Sequence, residues 1–509
     1  MSQPHAKIVI IGGGPGGYEA ALVAAQLGAD VTVVDTDGLG GACVLTDCVP
    51  SKTLIATSGM MAALEGAAAL GIRPDPGSGS GPAPHGTALA TVDAPRLYSR
   101  VKTLARAQSG DVAQRLAAEG VEVVTGAGRL TGPHTVAVTG TELSADAVLL
   151  ATGARPRPLP GAVPDGERIL TCRQLYDLDE LPPELIVIGS GVTGAEFASA
   201  YQALGSQVTL VSSRGRVLPQ QDADAAMVVE EVFERRGMTV LGRSRAVSAR
   251  RDGDGVAVSL EDGRILRGSH CLLTVGMVPN TGGLGLEEAG ITLDKGGFIP
   301  VDRVSRTSVP GVYAAGDCTG VQMLASVAAM QGRIAMWHAL GEAVQPLHLS
   351  HVAMTVFTEP EIASVGLRGG LEGPPPQVGL RAGLGGPSPR VGLRGGLGGS
   401  SPRVSTVQQA TEAGAADALT VNLPLATNAR AKMQGFRDGF VKLFARRSSG
   451  VVLGGVVVAP RASELILAVS LAVEQHVTVD ELAHTFAVYP SLSGSITEAA
   501  RRLMQPEYH

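Results

Sequence analysis

The sequence predicts an α/β protein with two Rossmann-like domains and a smaller C-terminal α+β region. Two segments share one order of elements: an apolar strand, a glycine-rich turn, a helix and a second apolar strand, which together make a βαβ unit. The first begins at residues 7–11 and the second at residues 185–188. From about residue 404 the strands FVKLFA and VVLGGVVVA precede the helix SELILAVSLAVEQH, which is an α+β pattern.

The first glycine turn has the pattern that binds the pyrophosphate of a dinucleotide. Its first glycine makes the bend, its second admits the phosphates, and its third lets the helix pack against the strand. Asp35 ends the next strand, where an acid can accept a hydrogen bond from the adenosine ribose. The predicted cofactor-binding residues here are Gly12, Gly14, Pro15, Gly16, Gly17 and Asp35.

The second turn, formed by Gly189, Gly191 and Gly194, predicts a second dinucleotide site. No acid ends its second strand; Ser212, Ser213 and Arg214 stand there instead. Without a carboxylate a 2′-phosphate is not repelled, and an arginine can bind it, so we expect NADPH to be accepted and preferred. The alternative is that the arginines of this loop, Arg214 and Arg216, are only solvated surface charges.

Cys43 and Cys48 form a C-x4-C pair in the segment GGACVLTDCVPSK. Residues five apart on an ideal helix have Cα atoms about 8.6 Å apart, but a disulfide needs less than about 7 Å. The helix must therefore be distorted here, near Pro50, if the pair is to be oxidised. The spacing does not suit zinc, whereas Lys52, four residues after Cys48, would favour a thiolate. Cys172, Cys271 and Cys318 are expected to be small buried residues.

Length and composition limit the alternatives. A chain of 509 residues is expected to form about three domains. Its net charge of −6, spread along the chain, argues against a nucleic-acid-binding face. No signal peptide pattern, no apolar run of about 18 residues and no disulfide framework is seen, so we expect a cytoplasmic protein without membrane insertion.

Two segments are predicted to be flexible insertions. Residues 73–86 are rich in glycine, proline and serine, and residues 365–403 are three tandem 13-residue repeats that begin VGLR. Glycine and proline at this density prevent a regular repeat structure. The five arginines of the second segment leave open a contact with an acidic partner.

The order of these motifs resembles that of the pyridine-nucleotide disulfide oxidoreductases, which include lipoamide dehydrogenase and glutathione reductase. The two glycine turns, the cysteine segment, Ala-Thr-Gly at 151–153 and Ala-Ala-Gly-Asp at 314–317 carry the resemblance. It implies a homodimer whose dinucleotide-binding domains hold FAD and NAD(P), with a C-terminal dimerisation domain. The expected domains are 1–157 and 281–350 for FAD, 158–280 for NAD(P), and 351–509 for dimerisation.

The resemblance also implies roles for individual residues. Cys48 would face the flavin as the charge-transfer thiol, and Cys43 would be the interchange thiol. Lys52 and Glu196 would pair near flavin N5; otherwise Glu196 is an ordinary acid in the first turn of its helix. Asp317 would hold the ribityl chain. Further cofactor-binding residues implied are Thr152, Gly153, Gly276 and Gly316.

Two features, at three positions, depart from the family pattern. Tyr489 and Gly494 replace the histidine and glutamate that exchange protons with a dithiol substrate, and a phenol cannot do this at neutral pH as imidazole does. Val192 stands where glutathione reductase-like members have a tyrosine over the nicotinamide pocket, which would leave that face more open. Both features resemble those of an actinobacterial subgroup of NAD(P)H–quinone dehydrogenases.

The sequence therefore favours hydride transfer from NAD(P)H through FAD to a soluble quinone, with Tyr489 either donating a hydrogen bond to a quinone oxygen or buried as an interface aromatic. A disulfide reductase that uses Cys43 and Cys48 is the alternative. A third reading is a flavin-loaded redox sensor without enzymatic activity.

Overall fold

A computed structural model of the chain describes residues 5–72, 90–369 and 417–504. The predicted flexible segment 73–86, and residues 370–403 of the predicted repeat insertion, lie outside the described residues. The strands are β1 Lys7–Ile11, β2 Asp30–Asp35, β3 Glu122–Thr125, β4 Arg129–Gly132, β5 Thr135–Val138, β6 Thr141–Ser144, β7 Ala147–Leu150, β8 Ala154–Pro156, β9 Ile169–Thr171, β10 Glu184–Ile188, β11 Gln207–Val211, β12 Thr239–Leu241, β13 Ala246–Asp252, β14 Gly255–Leu260, β15 Ile265–Gly268, β16 His270–Leu273, β17 Met277–Pro279, β18 Val312–Ala314, β19 Met354–Val356, β20 Glu361–Gly366, β21 Ala418–Pro424, β22 Phe440–Arg446 and β23 Val452–Ala459. The helices are α1 Pro15–Gln26, α2 Gly41–Leu45, α3 Cys48–Gly66, α4 Ala94–Ala118, α5 Val192–Ala203, α6 Ala223–Arg235, α7 Ala325–Ala339, α8 Ala429–Met433, α9 Ala462–Glu474, α10 Val479–His484 and α11 Gly494–Leu503.

The first Rossmann-like sheet is parallel and has the strand order β18-β7-β1-β2-β3. Its central strand β1 is almost entirely buried, which explains the uninterrupted apolar run in the sequence. Strand β18 joins this sheet after the chain has built the second one. Helices α1 and α7 cross closely beside it. A Cβ at Gly332 would lie 2.0 Å from the carbonyl oxygen of Gly16, so this crossing requires a glycine at position 332.

The second sheet repeats the design, with the parallel order β12-β11-β10-β16-β9. Strand β10 is buried like β1, and α5 follows it through the second glycine turn. The antiparallel sheet β13-β14-β15 packs against one side. Helix α5 also contacts α3 of the first unit, so the two βαβ units share a packed boundary.

The C-terminal sheet is antiparallel, with the order β19-β20-β23-β22-β21. Helices α9 and α11 pack against it through a separate apolar core. The predicted strands and long helix of this region are confirmed as β22, β23 and α9. One prediction needs correction: Val365 and Gly366, the first residues of the repeat segment, are the end of β20 and pair with Gly455 and Gly454.

Within the described residues, one helical stretch, Gly41–Leu70, is long and apolar enough to cross a membrane by length and composition alone. Core helices of proteins that never enter a membrane can have the same composition. The stretch is interrupted at Thr46 and Asp47, and Ser51 and Leu54 of it are buried against the rest of the chain.

Candidate functional site

The first cavity, of about 490 Å³, opens at the carboxyl ends of β1, β2 and β7. This end of an open parallel sheet is where such folds bind ligands. The sequence-predicted residues that line it are Gly12, Gly14, Pro15, Gly16, Asp35, Cys43, Cys48, Thr152, Gly153, Gly316 and Asp317. Residues distant in sequence thus meet around one elongated space.

The glycine turn at this cavity leaves room where a phosphate would approach. Gly12 has φ 109°, and a Cβ at Gly17 would lie 1.8 Å from the carbonyl oxygen of Gly12, so the strand and helix α1 meet only because both residues are glycine. Gly14, which precedes α1, has no atom within 4 Å of its Cβ position. The N-terminus of α1 borders this space, and the positive end of the helix dipole there favours an anion.

Asp35 lies beside the turn and organises it. Its carboxylate accepts hydrogen bonds from the backbone N–H groups of Gly13, at 2.6 Å, and of Asp37 and Gly38, at 2.8 and 2.7 Å. These bonds fix the carboxylate at the edge of the cavity. Its remaining lone pairs can accept from a ribose hydroxyl.

The far wall of the cavity is built by two hydrogen-bonded loops. Thr152 donates to the carbonyl of Asn280 at 2.8 Å, and the Asn280 amide donates back to the carbonyl of Thr152 at 3.0 Å. The backbone N–H of Gly316 donates to the buried side chain of Gln331 at 2.9 Å. Burial, with a smaller contribution from Asp47, raises the pKa of Asp317 to about 6.

The cysteine pair lies where two helices meet. Cys43 is in α2 and Cys48 begins α3, so the helical path is broken between them, as the sequence predicts. Both are free, partly buried thiols. Hydrogen bonding between them lowers the pKa of Cys43 and raises that of Cys48, because one proton is shared by the pair.

Lys52 forms an ion pair with Glu196 behind the cysteines. The distance from Lys52 Nζ to Glu196 Oε2 is 2.7 Å, and the Glu196 side chain is only 4% exposed. The other oxygen of Glu196 accepts from the backbone N–H of Phe357 at 2.9 Å, and the Lys52 ammonium lies 5.0 Å from the Phe357 ring centroid. Burial opposes the charge on Lys52, but Glu196 and the nearby Cys48 sulfur outweigh it and raise the pKa of Lys52.

A second cavity of about 370 Å³ lies at the second glycine turn and is lined by Gly191, Val192, Arg214 and Gly276. The turn repeats the geometry of the first: Gly189 has φ 113°, and a Cβ at Gly194 would lie 1.8 Å from the carbonyl oxygen of Gly189. Gly191 again faces open space. The two cavities are therefore built by the same local construction.

Ser212 differs from its predicted role. It is fully buried, and its hydroxyl accepts from Ser190 at 2.7 Å and from the backbone N–H of Arg214 at 3.1 Å. Its side chain thus holds the loop in place and does not face the cavity. Ser213 is exposed, and Arg214 borders the second cavity.

A family model described as pyridine nucleotide-disulphide oxidoreductase matches residues 6–332, and the dimerisation domain of the same family matches residues 404–500. The chain belongs to the pyridine nucleotide-disulphide oxidoreductase family. Members of this family use FAD and NAD(P)H, and so does this oxidoreductase.

The chain is 53% identical to an NAD(P)H dehydrogenase (quinone) of Mycobacterium tuberculosis, over 98% of this chain and 94% of that protein. It is 32% identical to a dihydrolipoyl dehydrogenase of Zymomonas mobilis, over 97% of each. The crystal structure of LpdA from M. tuberculosis matches with a TM-score of 0.84 and 53% identity, over 98% of this chain and 100% of that one.

The C-terminal positions that depart from the disulphide oxidoreductase pattern lie away from the two cavities described above. Tyr489 is 85% exposed and lines neither cavity. The ring of His484 bonds the carbonyl of Asp480, and Glu498 is held by Arg501 and Arg502. No hydrogen bond or ion pair joins His484 to Glu498.

Several residues that line the cavities were not found from the sequence. Asn280 and Arg173 border the first cavity, and Cys172 borders the second. Asp47 and Met277 border both. Asp47 stands inside the C-x4-C segment, and an acid between two redox cysteines was the signal that could have identified it.

Proposed function

We propose that this enzyme passes an electron pair from NAD(P)H through FAD to a soluble quinone-type acceptor. The observation that carries the proposal is the C-terminal segment: Tyr489 and Gly494 replace the proton-exchanging dyad, and His484 and Glu498 are engaged elsewhere. Reduction of a disulfide substrate needs this histidine–glutamate dyad to exchange protons with the thiols that form, whereas reduction of a quinone involves no thiol exchange. The name of the 53% identical relative supports the same acceptor.

The first cavity fits FAD. The open space at Gly14 and the start of α1 suit the pyrophosphate, Asp35 suits the adenosine ribose, and Asp317 suits the ribityl hydroxyls. When bound, FAD accepts a hydride from the nicotinamide and delivers the electron pair to the acceptor. The Lys52–Glu196 ion pair places a cation beside the cysteines, where it can stabilise negative charge that develops on reduction.

The second cavity fits NADPH and then the acceptor. Gly191 suits the pyrophosphate, Gly276 borders the space for the nicotinamide, and Arg214 suits a 2′-phosphate. Val192 is 37% exposed and leaves the mouth open. A flat quinone can enter this space once the oxidised nucleotide has left.

Disulfide reduction by Cys43 and Cys48 remains the second candidate, because the two thiols share a proton and lie at the first cavity. In that case Cys48 is the charge-transfer thiol and Cys43 the interchange thiol. Even so, no imidazole lines either cavity in the described residues to return protons to a disulfide substrate.

At the level of the whole protein we propose a cytoplasmic homodimer. The matched dimerisation domain supports the dimer, and five unpaired cysteines support a reducing compartment. We assign residues 1–157 and 281–350 to the FAD domain, 158–280 to the NAD(P) domain and 351–509 to the dimerisation domain. The return of β18 to the first sheet supports this interrupted arrangement.

Steady-state oxidation of NADPH with menadione, lipoamide and glutathione disulfide tests the proposal. We expect menadione to be the only efficient acceptor of the three. The double variant Cys43→Ser/Cys48→Ser should keep menadione turnover, and should lose any long-wavelength thiolate–flavin band in anaerobic titration with NADPH. Strong lipoamide turnover that the double variant loses would overturn the proposal.

A further inference from the structure

Asp47 occupies the break between α2 and α3 and precedes Cys48, the first residue of α3. Aspartate at this position normally caps a helix by accepting a hydrogen bond from the backbone. The Asp47 side chain makes no such bond. Instead it borders the first cavity on one side and the second cavity on the other.

The Asp47 carboxyl is partly buried and has no hydrogen-bond or ion-pair partner among residues 5–72, 90–369 and 417–504. Lys52, one of the two cations that act on this carboxyl, is engaged by Glu196 at 2.7 Å. A carboxylate without a partner is costly to bury, so the group either holds a proton or bonds a ligand.

The charged and titratable groups around Asp47 come from several elements. Burial raises the pKa of Asp47, and the more weakly acting cations Lys52 and Arg173 oppose the shift. The groups that face it are Lys52, Arg173, Asp317, Cys43, Cys48, Cys172 and Tyr176. The neighbouring carboxyl of Asp317 is electrostatically coupled to it.

We propose that Asp47 donates to the bound acceptor the proton that its reduction requires, an inference that rests on the quinone reduction proposed above. Conversion of a quinone to a quinol consumes two electrons and two protons. NAD(P)H supplies the electron pair and one proton as a hydride equivalent. The O–H bond of the Asp47 carboxyl breaks as the second quinol O–H bond forms, and water entering through the open second cavity restores the proton.

The test compares Asp47→Asn, which keeps the shape but cannot donate an acidic proton, with Asp47→Glu, which can. Asp254→Asn is the matched control, because Asp254 is an exposed residue of the β13–β14 turn. With menadione, kcat of Asp47→Asn should fall about 10²-fold, the scale of a lost general acid, and Asp47→Glu should restore part of it. Ferricyanide accepts electrons without protons, so the turnover of Asp47→Asn with ferricyanide should fall far less than its turnover with menadione.

The pH dependence gives a readout that a structural role would not produce. In the unsubstituted enzyme, kcat with menadione should fall as pH rises through the raised pKa of Asp47, because the donor is then ionised. Asp47→Asn should lack this decrease of kcat with rising pH. Infrared difference spectra between low and high pH should show protonated carboxyl bands from both Asp47 and Asp317, and Asp47→Asn should lose the Asp47 contribution while the Asp317 band remains, even before any substrate is added.

The outcomes separate the two proposals. If the unsubstituted enzyme reduces lipoamide but not menadione, the quinone function and the proton donor both fail. If it reduces menadione and Asp47→Asn does so equally well with the same pH profile, only the role of Asp47 is overturned. Equal losses with menadione and ferricyanide would also overturn it, because they would show damage to the cofactor site.

Discussion

At the scale of single residues, Ser212 and Arg214 differ in the loop that follows β11. Ser212 holds the loop in place, and Arg214 borders the second cavity. Ser212 is buried and ties the loop to Ser190, while Arg214 reaches the cavity from a backbone that Ser212 holds. A carboxylate at position 212 would have repelled a 2′-phosphate. In the proposed NADPH site the buried Ser212 hydroxyl instead holds the backbone of Arg214, from which the arginine side chain can reach the 2′-phosphate.

Replacing Arg214 by alanine should weaken NADPH selectively. A charge-assisted hydrogen bond contributes about 1.5–3 kcal/mol, and about 1.4 kcal/mol is a factor of ten, so KM for NADPH should rise about 10- to 100-fold. KM for NADH should stay the same, because NADH has no 2′-phosphate. Steady-state kinetics with both nucleotides measure the ratio.

The matched control for this prediction is Arg250→Ala, which removes an exposed arginine on β13 that lines neither cavity. It should change neither KM. Equal increases for NADH and NADPH in Arg214→Ala would show that the arginine contacts a group common to both nucleotides.

The conformation and role of a residue could be predicted from the sequence where a motif determines them. The positive-φ glycines and Asp35 follow from the steric demands of the turn, and the Lys52–Glu196 pair followed from the family resemblance. Asp47 was not predictable in this way, because its position between two cavities depends on how two distant turns meet. Ser212 was predicted to lie at the nucleotide site because the burial of a side chain cannot be inferred from a single position in the sequence.

Strand β20 and the residues after it act as one element. Beyond Gly366, the backbone N–H of Leu367 donates to the carbonyl of Leu453 at 3.0 Å, and that of Gly369 donates to the buried carboxylate of Asp222 at 2.9 Å. Asp222 is also bound by Lys442 of β22 at 2.7 Å. The start of the repeat thus ties the NAD(P) domain to the C-terminal sheet.

Two deletions should therefore differ. Removal of residues 370–403 should leave FAD content, menadione turnover and thermal stability close to those of the full chain. Removal of residues 365–403 should also lower the free energy of unfolding, by about 1–3 kcal/mol for each buried polar group left unpaired. Thermal unfolding and the flavin absorbance of the purified proteins measure both effects.

Equal stability of the two deletions would contradict the structural role of residues 365–369. Loss of flavin in the shorter deletion would instead show that the repeats support the cofactor site. The sequence could not separate these five residues from the repeat, because strand and insertion share the letters VGLRG. Only the pairing partners Gly454 and Gly455 distinguish them.

At the scale of the whole molecule, one exposed apolar surface belongs to the dimerisation domain. Leu467 and Leu471 lie one turn apart on α9 and are 62% and 55% exposed, and Phe486 is fully exposed nearby in the sequence. Apolar surface of this kind marks an interaction site. Its place within residues 404–500, matched by the dimerisation model, favours a second copy of the chain as the occupant.

The double variant Leu467→Arg/Leu471→Arg should weaken the dimer. Burial of one leucine contributes about 1.5–3 kcal/mol, so the dimer dissociation constant should rise at least about 10²-fold. Sedimentation velocity over a range of concentrations measures it. Ile265→Arg, at an apolar position on β15 that is 47% exposed, is the control, and an unchanged dimer in the double variant would place the interface elsewhere.

The order of domains followed from the sequence because each βαβ unit carries its own strand, turn and helix signals. The way in which the units meet did not, since it depends on contacts between α3 and α5 and between β18 and β7. These contacts join residues far apart in the chain, and no local pattern encodes them.

Asp47 and Met277 border both cavities, so the two chambers meet at one narrow partition. Nucleotide and acceptor that use the second chamber must occupy it in turn. Oxidised nucleotide that stays bound delays the acceptor, and excess acceptor keeps the next nucleotide out. For such alternating occupancy, double-reciprocal plots against nucleotide are parallel lines at low acceptor, and their slope increases once excess acceptor competes with the nucleotide for the second chamber.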